Sequence, residues 1–200
     1  NVTRRYSLEA GPMNFEYADA WHTCKIDRKE LKALSRRSDL KGLAYLGVYI
    51  AAVAASGALA TLAWGTYWAI PTLLLYAALF MFAELISHEC CHSTPFHSRW
   101  LNEAVYWATC FLSVREPVFN RWSHAIHHTN TKFVGTDPEI QVPRPTNLWR
   151  LAIEFLSLWH ISFHVSGMVK AALGDMSKVA RNLVPEGEFR KVVRNARWFL

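Results

Sequence analysis

Residues 68–92 read "WAIPTLLLYAALFMFAELISHECCH". The first part, 68–87, carries a single charge, Glu84, near its far end. A run of about 20 apolar residues is what a helix needs to cross ~30 Å of hydrocarbon. The run stops at two histidines four positions apart, His88 and His92, with Glu89 directly after the first. Positions i and i+4 share one face of a helix, so both imidazoles can grip one metal ion. The first expectation is a membrane crossing that ends in a metal-binding pair. The same letters also match the H-E-x-x-H of zinc peptidases, whose glutamate is a general base.

Upstream, residues 43–64, "LAYLGVYIAAVAASGALATLAW", contain no charge. Alanine, glycine and serine crowd this run, as suits close packing of membrane helices. The link "WGTYW" (64–68) is short, which makes the two runs an antiparallel hairpin, and its rings suit the headgroup level. Pro71 falls in the first turn of the second helix, where its missing N–H costs little. The competing reading, two buried helices of a soluble all-α protein, asks for two adjacent uncharged runs that soluble domains rarely contain. Lys25, Arg28, Lys29, Lys32, Arg36, Arg37 and Lys41 precede the hairpin. By the positive-inside rule this flank is cytoplasmic, and a hairpin returns the histidines to the same side.

The fold expected is an all-α, multi-pass membrane protein with crossings at about 43–64 and 68–87, histidine-bearing helices on the cytoplasmic face and interfacial amphipathic helices. Residues 1–41 form a cytoplasmic arm and 42–200 the membrane domain. The arm lacks a signal peptide's apolar core, and "DRKE" (27–30) reads as a capping box of Asp27 with Glu30 opening a short surface helix. The net charge of +6 reflects basic residues that flank membrane segments and meet anionic headgroups; no nucleic-acid motif accompanies it. Cys24, Cys90, Cys91 and Cys110 form no C-x-x-C pair and read as free thiols.

A second histidine set follows in "RWSHAIHHTN" (121–130), with His124, His127 and His128 at i, i+3 and i+4. A zinc peptidase needs one further ligand and an open position, not three more histidines. Ferritin-like di-iron sites use two Glu-x-x-His pairs with further glutamates, and only Glu89–His92 has that spacing. Bis-histidine haem would leave three imidazoles unexplained. Two metal ions held mainly by imidazole account for all five, and imidazole suits iron.

With both boxes in view, the sequence resembles the membrane-bound fatty acid desaturases and their hydroxylase and monooxygenase relatives. "HECCHSTPFHSRWLNE" (88–103) is similar to the family's first box and the Arg-x-Leu-Asn stretch after it. "FNRWSHAIHHTNTKFVGTDPE" (119–139) is similar to the second box, followed by Thr-Asn and Asp-Pro-Glu. The resemblance covers roughly 42–145. It implies that His88, His92, His124, His127 and His128 ligate two non-haem irons facing the cytoplasm, with O2 as co-substrate. It implies an oxygen-dependent desaturase of fatty acyl lipid, acyl-CoA or acyl-carrier substrates, with ferredoxin or cytochrome b5 as electron donor. A hydroxylase or monooxygenase acting on an alkane, aromatic methyl group, carotenoid or sterol shares the same ligands. An intramembrane zinc peptidase and a non-enzymatic histidine-rich membrane protein are the distant alternatives. The family carries a third histidine box that does not occur after residue 128, so the natural chain is expected to continue as a second transmembrane hairpin and then that box.

Glu84 lies one turn before His88 and is a candidate to orient its imidazole, as is Glu89. Asp137, in "TDPE", is read as a turn cap or as a partner of Arg121 or a ligand imidazole, and Asn130 stands as a similar candidate. His97 is expected to be no ligand, and His160 with His164 a packing pair. Segment 148–173 is expected along the interface or over the metal site, because a crossing there would put the basic stretch 176–197 outside. Residues 101–114 are too short to span and are expected to form an interfacial or re-entrant helix.

Overall fold

The computed structural model describes residues 26–131, 136–139, 147–149 and 158–200, and every regular element among them is helical. Cys24, segment 150–157 and the side chain of His160, on which expectations fall, lie outside the described residues. Asp27 opens α1 (Arg28–Leu34) by accepting the Lys29 N–H at 2.7 Å. Ser38 opens α2 (Asp39–Leu62) and accepts the Lys41 N–H at 3.4 Å. After a turn at Gly65, whose φ of 79° suits glycine, α3 runs over Ala69–Cys91. Each long helix outruns at one end the apolar segment that predicted it. Ser38 starts α2 ahead of residue 43, and α3 is not broken until Ser93 takes a φ of 57°, so His88 rides its last turn.

With 24 and 23 residues, α2 and α3 are long and apolar enough to cross a bilayer. Only 11% of the most apolar stretch of α2 and 6% of that of α3 is buried. Core helices of a soluble protein would be mostly buried, whereas exposed apolar faces of this extent mark a surface that meets lipid or a partner. The two helices pack antiparallel: Tyr49 donates to the Phe80 carbonyl at 3.2 Å, and Gly57 lies against the ring of Tyr76. The buried positions on α2 are small, Gly42, Ser56 and Ala60, and let the backbones approach.

Helix α4 (Arg99–Leu112) packs on α3 with a stripe of Asn102, Tyr106, Thr109 and Cys110, spaced for one face. At 14 residues, ~21 Å, it is too short to span. It begins and ends two residues before the expected 101–114, because Ser98 precedes its first turn and Val114 breaks it with a φ of 54°. Glu116 caps α5 (Pro117–Asn130), accepting the N–H groups of Val118 and Phe119 at 3.1 and 2.6 Å. The C-terminal part comprises α6 (Leu158–Ala172), α7 (Lys178–Leu183), a 3₁₀ turn (Glu186–Glu188) and α8 (Phe189–Phe199). Met168, Ala171, Met176, Ala180, Val184, Val192 and Ala196 form its core, joined by Val118 and Phe119 of α5. Helix α6 therefore packs on α8, with Met168 and Ala171 in the shared core.

The loop after α3 is pinned from two sides. Asn102 Nδ2 donates to the carbonyls of Phe96 and Ser98 at 2.9 and 3.0 Å, and its Oδ1 accepts the Phe96 N–H at 3.3 Å. Asp39 accepts the Ser98 N–H and hydroxyl at 2.8 and 2.5 Å. Phe96 is buried against Gly42, where a Cβ would meet its ring at 2.6 Å and the Pro95 carbonyl at 2.8 Å. Gly47, on the same helix, has nothing within 4 Å of the corresponding point. Gly42→Val is expected to destabilise the protein by about 1–3 kcal/mol, while Gly47→Val leaves it near the parent. Thermal unfolding of both variants in detergent checks this, and equal behaviour of the two would contradict the packing described.

Candidate metal centre

The last turn of α3 and the second half of α5 meet at their histidines. The ligand atoms of His88, His92, His124 and His128 all lie within 4.8 Å of one another. Three Nε2 atoms form a near-equilateral triangle: His92 to His124 is 2.9 Å, and His128 is 3.0 Å from each. His124 is buried, His88 half-buried, and His92 and His128 are exposed. The sequence placed His127 with these four, but it stands beside them, stacked on His124 with centroids 5.9 Å apart. Adjacent residues diverge by about 100° around a helix, so His127 and His128 cannot face one point.

Three of the imidazoles have a carboxylate on Nδ1. Glu89 is 3.1 Å from His88, Glu139 is 3.2 Å from His124, and Asp137 is 2.9 Å from His127. A carboxylate only accepts, so each Nδ1 carries the proton and each Nε2 keeps a bare lone pair. Burial holds the pKa of His92 and of His124 below the ordinary imidazole value, with neighbouring imidazoles adding to it. Glu139 pulls the other way at His124 without reversing the shift. A bare Nε2 on His124 facing the Nε2 atoms of His92 and His128 is a ready donor to a cation placed between them. Separations of 2.9–3.0 Å match nitrogens bound at right angles to one ion at roughly 2.1 Å. The donor set therefore fits a metal ion.

The supporting residues depart from the sequence reading in several places. Glu84 does not orient His88; its carboxylate is paired with the guanidinium of Arg115. Arg115 also donates to Asn120 Oδ1 at 3.1 Å. Glu84 sits one turn before His88 and Asn120 one turn before His124, so this one guanidinium sets the spacing of the two histidine helices. A charged fork that reaches both helices is a stronger partner than an imidazole on the same helix. Asp137 fills two of its expected roles, because it accepts the Glu139 N–H at 2.9 Å as well as bonding His127. The suggested Arg121 pairing does not form; Arg121 binds Glu103 at 3.1 Å and lies over the ring of Tyr106. Glu89 also accepts from the Thr94 hydroxyl at 2.7 Å, and so is tied down rather than poised as the general base of a peptidase. Asn130 ends α5. His97 is exposed and lines a cleft with Arg36, Arg37 and Lys41, away from the four imidazoles. His164 lies on α6, outside the group. Cys90, Cys91 and Cys110 are free thiols, and burial pushes the Cys110 thiol up to about 12.

Glu139, Arg115 and Asn102 carry roles the sequence did not assign. Glu139 and Asn102 stood within the quoted flanks of the boxes, where their presence was a signal without a role. Arg115 offered no local signal, since Glu84 is distant in sequence and its bond to Asn120, five residues on, follows no helical spacing within one element.

The family model for fatty acid desaturases matches residues 66–200, about two thirds of the chain. The likeness thus runs through the C-terminal helices, beyond the 145 at which the motif resemblance fades. No curated protein sequence and no solved structure gives a match.

The carboxylate pairs make a specific expectation for the native protein. Asp137→Asn is expected to lower metal affinity roughly 10–100-fold, because Asn can present its amide to Nδ1 and favour the wrong tautomer. Glu103→Gln, which weakens a half-buried pair to Arg121 and touches no histidine, is expected to leave affinity within a factor of two or so. Chelator competition on the two variants measures the difference, and equal affinities would remove the role given to Asp137.

Proposed function

The chain belongs to the fatty acid desaturase family, and from that premise we propose that it is a membrane-embedded di-iron desaturase that introduces a double bond into a fatty acyl chain. The family implies an oxidoreductase of the desaturase and hydroxylase type, and the histidine cluster fits its histidine boxes. The observation that carries the finer reading is the convergence of four imidazoles from α3 and α5, three of whose neighbours or members are held by carboxylates. We assign His88, His92, His124, His127 and His128 as ligands of two irons. Bound iron would supply the oxygen activation needed to take hydrogen from an unactivated C–H bond. Forming an alkene from two adjacent C–H bonds, with O2 reduced to two waters, consumes two electrons and two protons. This is why a small electron-donor protein of ferredoxin or cytochrome b5 type belongs to the proposal.

The chain's own residues do the positioning. Glu89, Asp137 and Glu139 hold protons on the Nδ1 atoms and keep each Nε2 free. The link from Glu84 through Arg115 to Asn120 fixes the distance between the two histidine helices. Buried Glu116, whose pKa is raised by burial, caps α5 and accepts from Asn195 of α8 at 2.9 Å, which ties the histidine helix to the C-terminal core. The apolar α2–α3 pair anchors the assembly in a bilayer, and the basic flank before α2 puts the histidines at the cytoplasmic surface. An acyl chain lying in lipid then meets the site from the membrane side, without passing through water.

Elemental analysis of the purified native protein, with lipid product profiling after supply of O2 and reductant, tests this directly. About two irons per chain and a new double bond are expected. Stoichiometric zinc without iron would overturn the desaturase reading, and an alcohol in place of an alkene would assign the hydroxylase reaction instead.

A further inference from the structure

Away from the histidines, a cleft of about 470 Å³ opens between the 174–176 turn, α7 and α8. Its lining includes Arg181, Arg190, Arg194, Arg197, Phe189 and Trp198. On α8 the arginines stand at i, i+4 and i+7, a single stripe next to Trp198, while Val192, Asn195 and Ala196 face the core. All four arginines are exposed, and none makes an ion pair among the described residues. Glu188, the acid nearest in sequence to the stripe, is taken by Lys191 at 2.8 Å. Four like charges around one cleft repel one another, and an anion relieves that repulsion.

Two of the four guanidiniums are already oriented. Arg197 Nε donates to the Ala172 carbonyl at 2.8 Å, and Arg181 Nε donates to the Met176 carbonyl at 3.0 Å. Each keeps its terminal amino groups for another acceptor, the arrangement that suits bidentate contact with phosphate oxygens. Leu173, Trp198 and Leu200 are exposed at 79%, 80% and 67%, beside the arginines. Exposed tryptophan and leucine adjoining an arginine stripe is the composition of a helix seated at headgroup level, its rings toward the acyl region and its cations on phosphates.

We propose that this cleft binds the phosphate of an anionic phospholipid headgroup, which seats α8 on the membrane surface. The inference rests on the membrane placement of α2 and α3 but not on the reaction. Because α8 holds Glu116 through Asn195, a lipid bound there also steadies the N-terminus of the histidine helix.

The test is native mass spectrometry of the detergent-purified native protein titrated with phosphatidic acid, phosphatidylcholine or inorganic phosphate. Arg190→Gln/Arg194→Gln is the informative variant, since neither side chain makes a hydrogen bond or ion pair among the described residues, and Lys29→Gln/Lys32→Gln on α1 removes the same charge elsewhere. Phosphatidic acid is expected to bind tightest, and the arginine variant is expected to lose roughly thirtyfold in affinity, while the lysine variant stays near the parent. Equal losses in both variants would reduce the effect to bulk charge and overturn the site. Inorganic phosphate binding as tightly as phosphatidic acid would overturn the lipid assignment. Iron content of the same samples reports on the histidine centre separately, so failure here and failure of the desaturase reading are distinguishable.

Discussion

Four imidazoles from two helices are crowded into one small volume, and polar bonds around them hold them there. His88 and His92 come from one helix and His124 and His128 from another, each pair set four residues apart so that a single helix face presents both rings. What no single helix can supply is the distance between the pairs. Arg115 supplies it by engaging Glu84 one turn before His88 and Asn120 one turn before His124. Asn120 in turn donates to the hydroxyl of buried Tyr106 at 3.2 Å, which itself donates to the Pro117 carbonyl at 2.7 Å. Polar bonds of this kind are directional in a way apolar packing is not, and they are placed where a small error in spacing would separate the four nitrogens.

The α2–α3 pair is built differently. Among the described residues its outer faces are apolar and exposed, and carry no such network. Their contact relies on small residues and one tyrosine-to-carbonyl bond, Tyr49 to Phe80. Polar chemistry is concentrated at one end of the pair, where α3 emerges, the 92–98 loop folds back on Gly42, and α4 begins. The site thus lies where the apolar helices end and the polar network begins.

The helices and the histidine boxes were legible because each rests on local periodicity: uncharged length for α2 and α3, and i, i+4 spacing for the metal pairs. Helix ends were misjudged by a few residues because apolar length measures the bilayer, whereas Ser38 and Ser93 decide where hydrogen bonding starts and stops. The role of Glu84 was misread for a different reason. From sequence its neighbour is His88; in space a guanidinium from the link between α4 and α5 arrives first, and nothing in the spacing announces it. Asp137 was legible as a cap, and its bond to His127 was visible only as one of several possible partners. Glu139 and Asn102 show the same limit: residues that act on backbone or on rings brought from elsewhere carry no periodic signal.

X-ray absorption at the iron edge of the native protein tests the central proposal, that nitrogens of these histidines hold iron. The expected spectrum has a first shell of nitrogen and oxygen at about 2.0–2.2 Å, close to the metal–imidazole distance known for zinc, with the outer-shell scattering of imidazole rings that weakens in His124→Ala. A first shell dominated by sulfur, or a spectrum unchanged in His124→Ala, would contradict it.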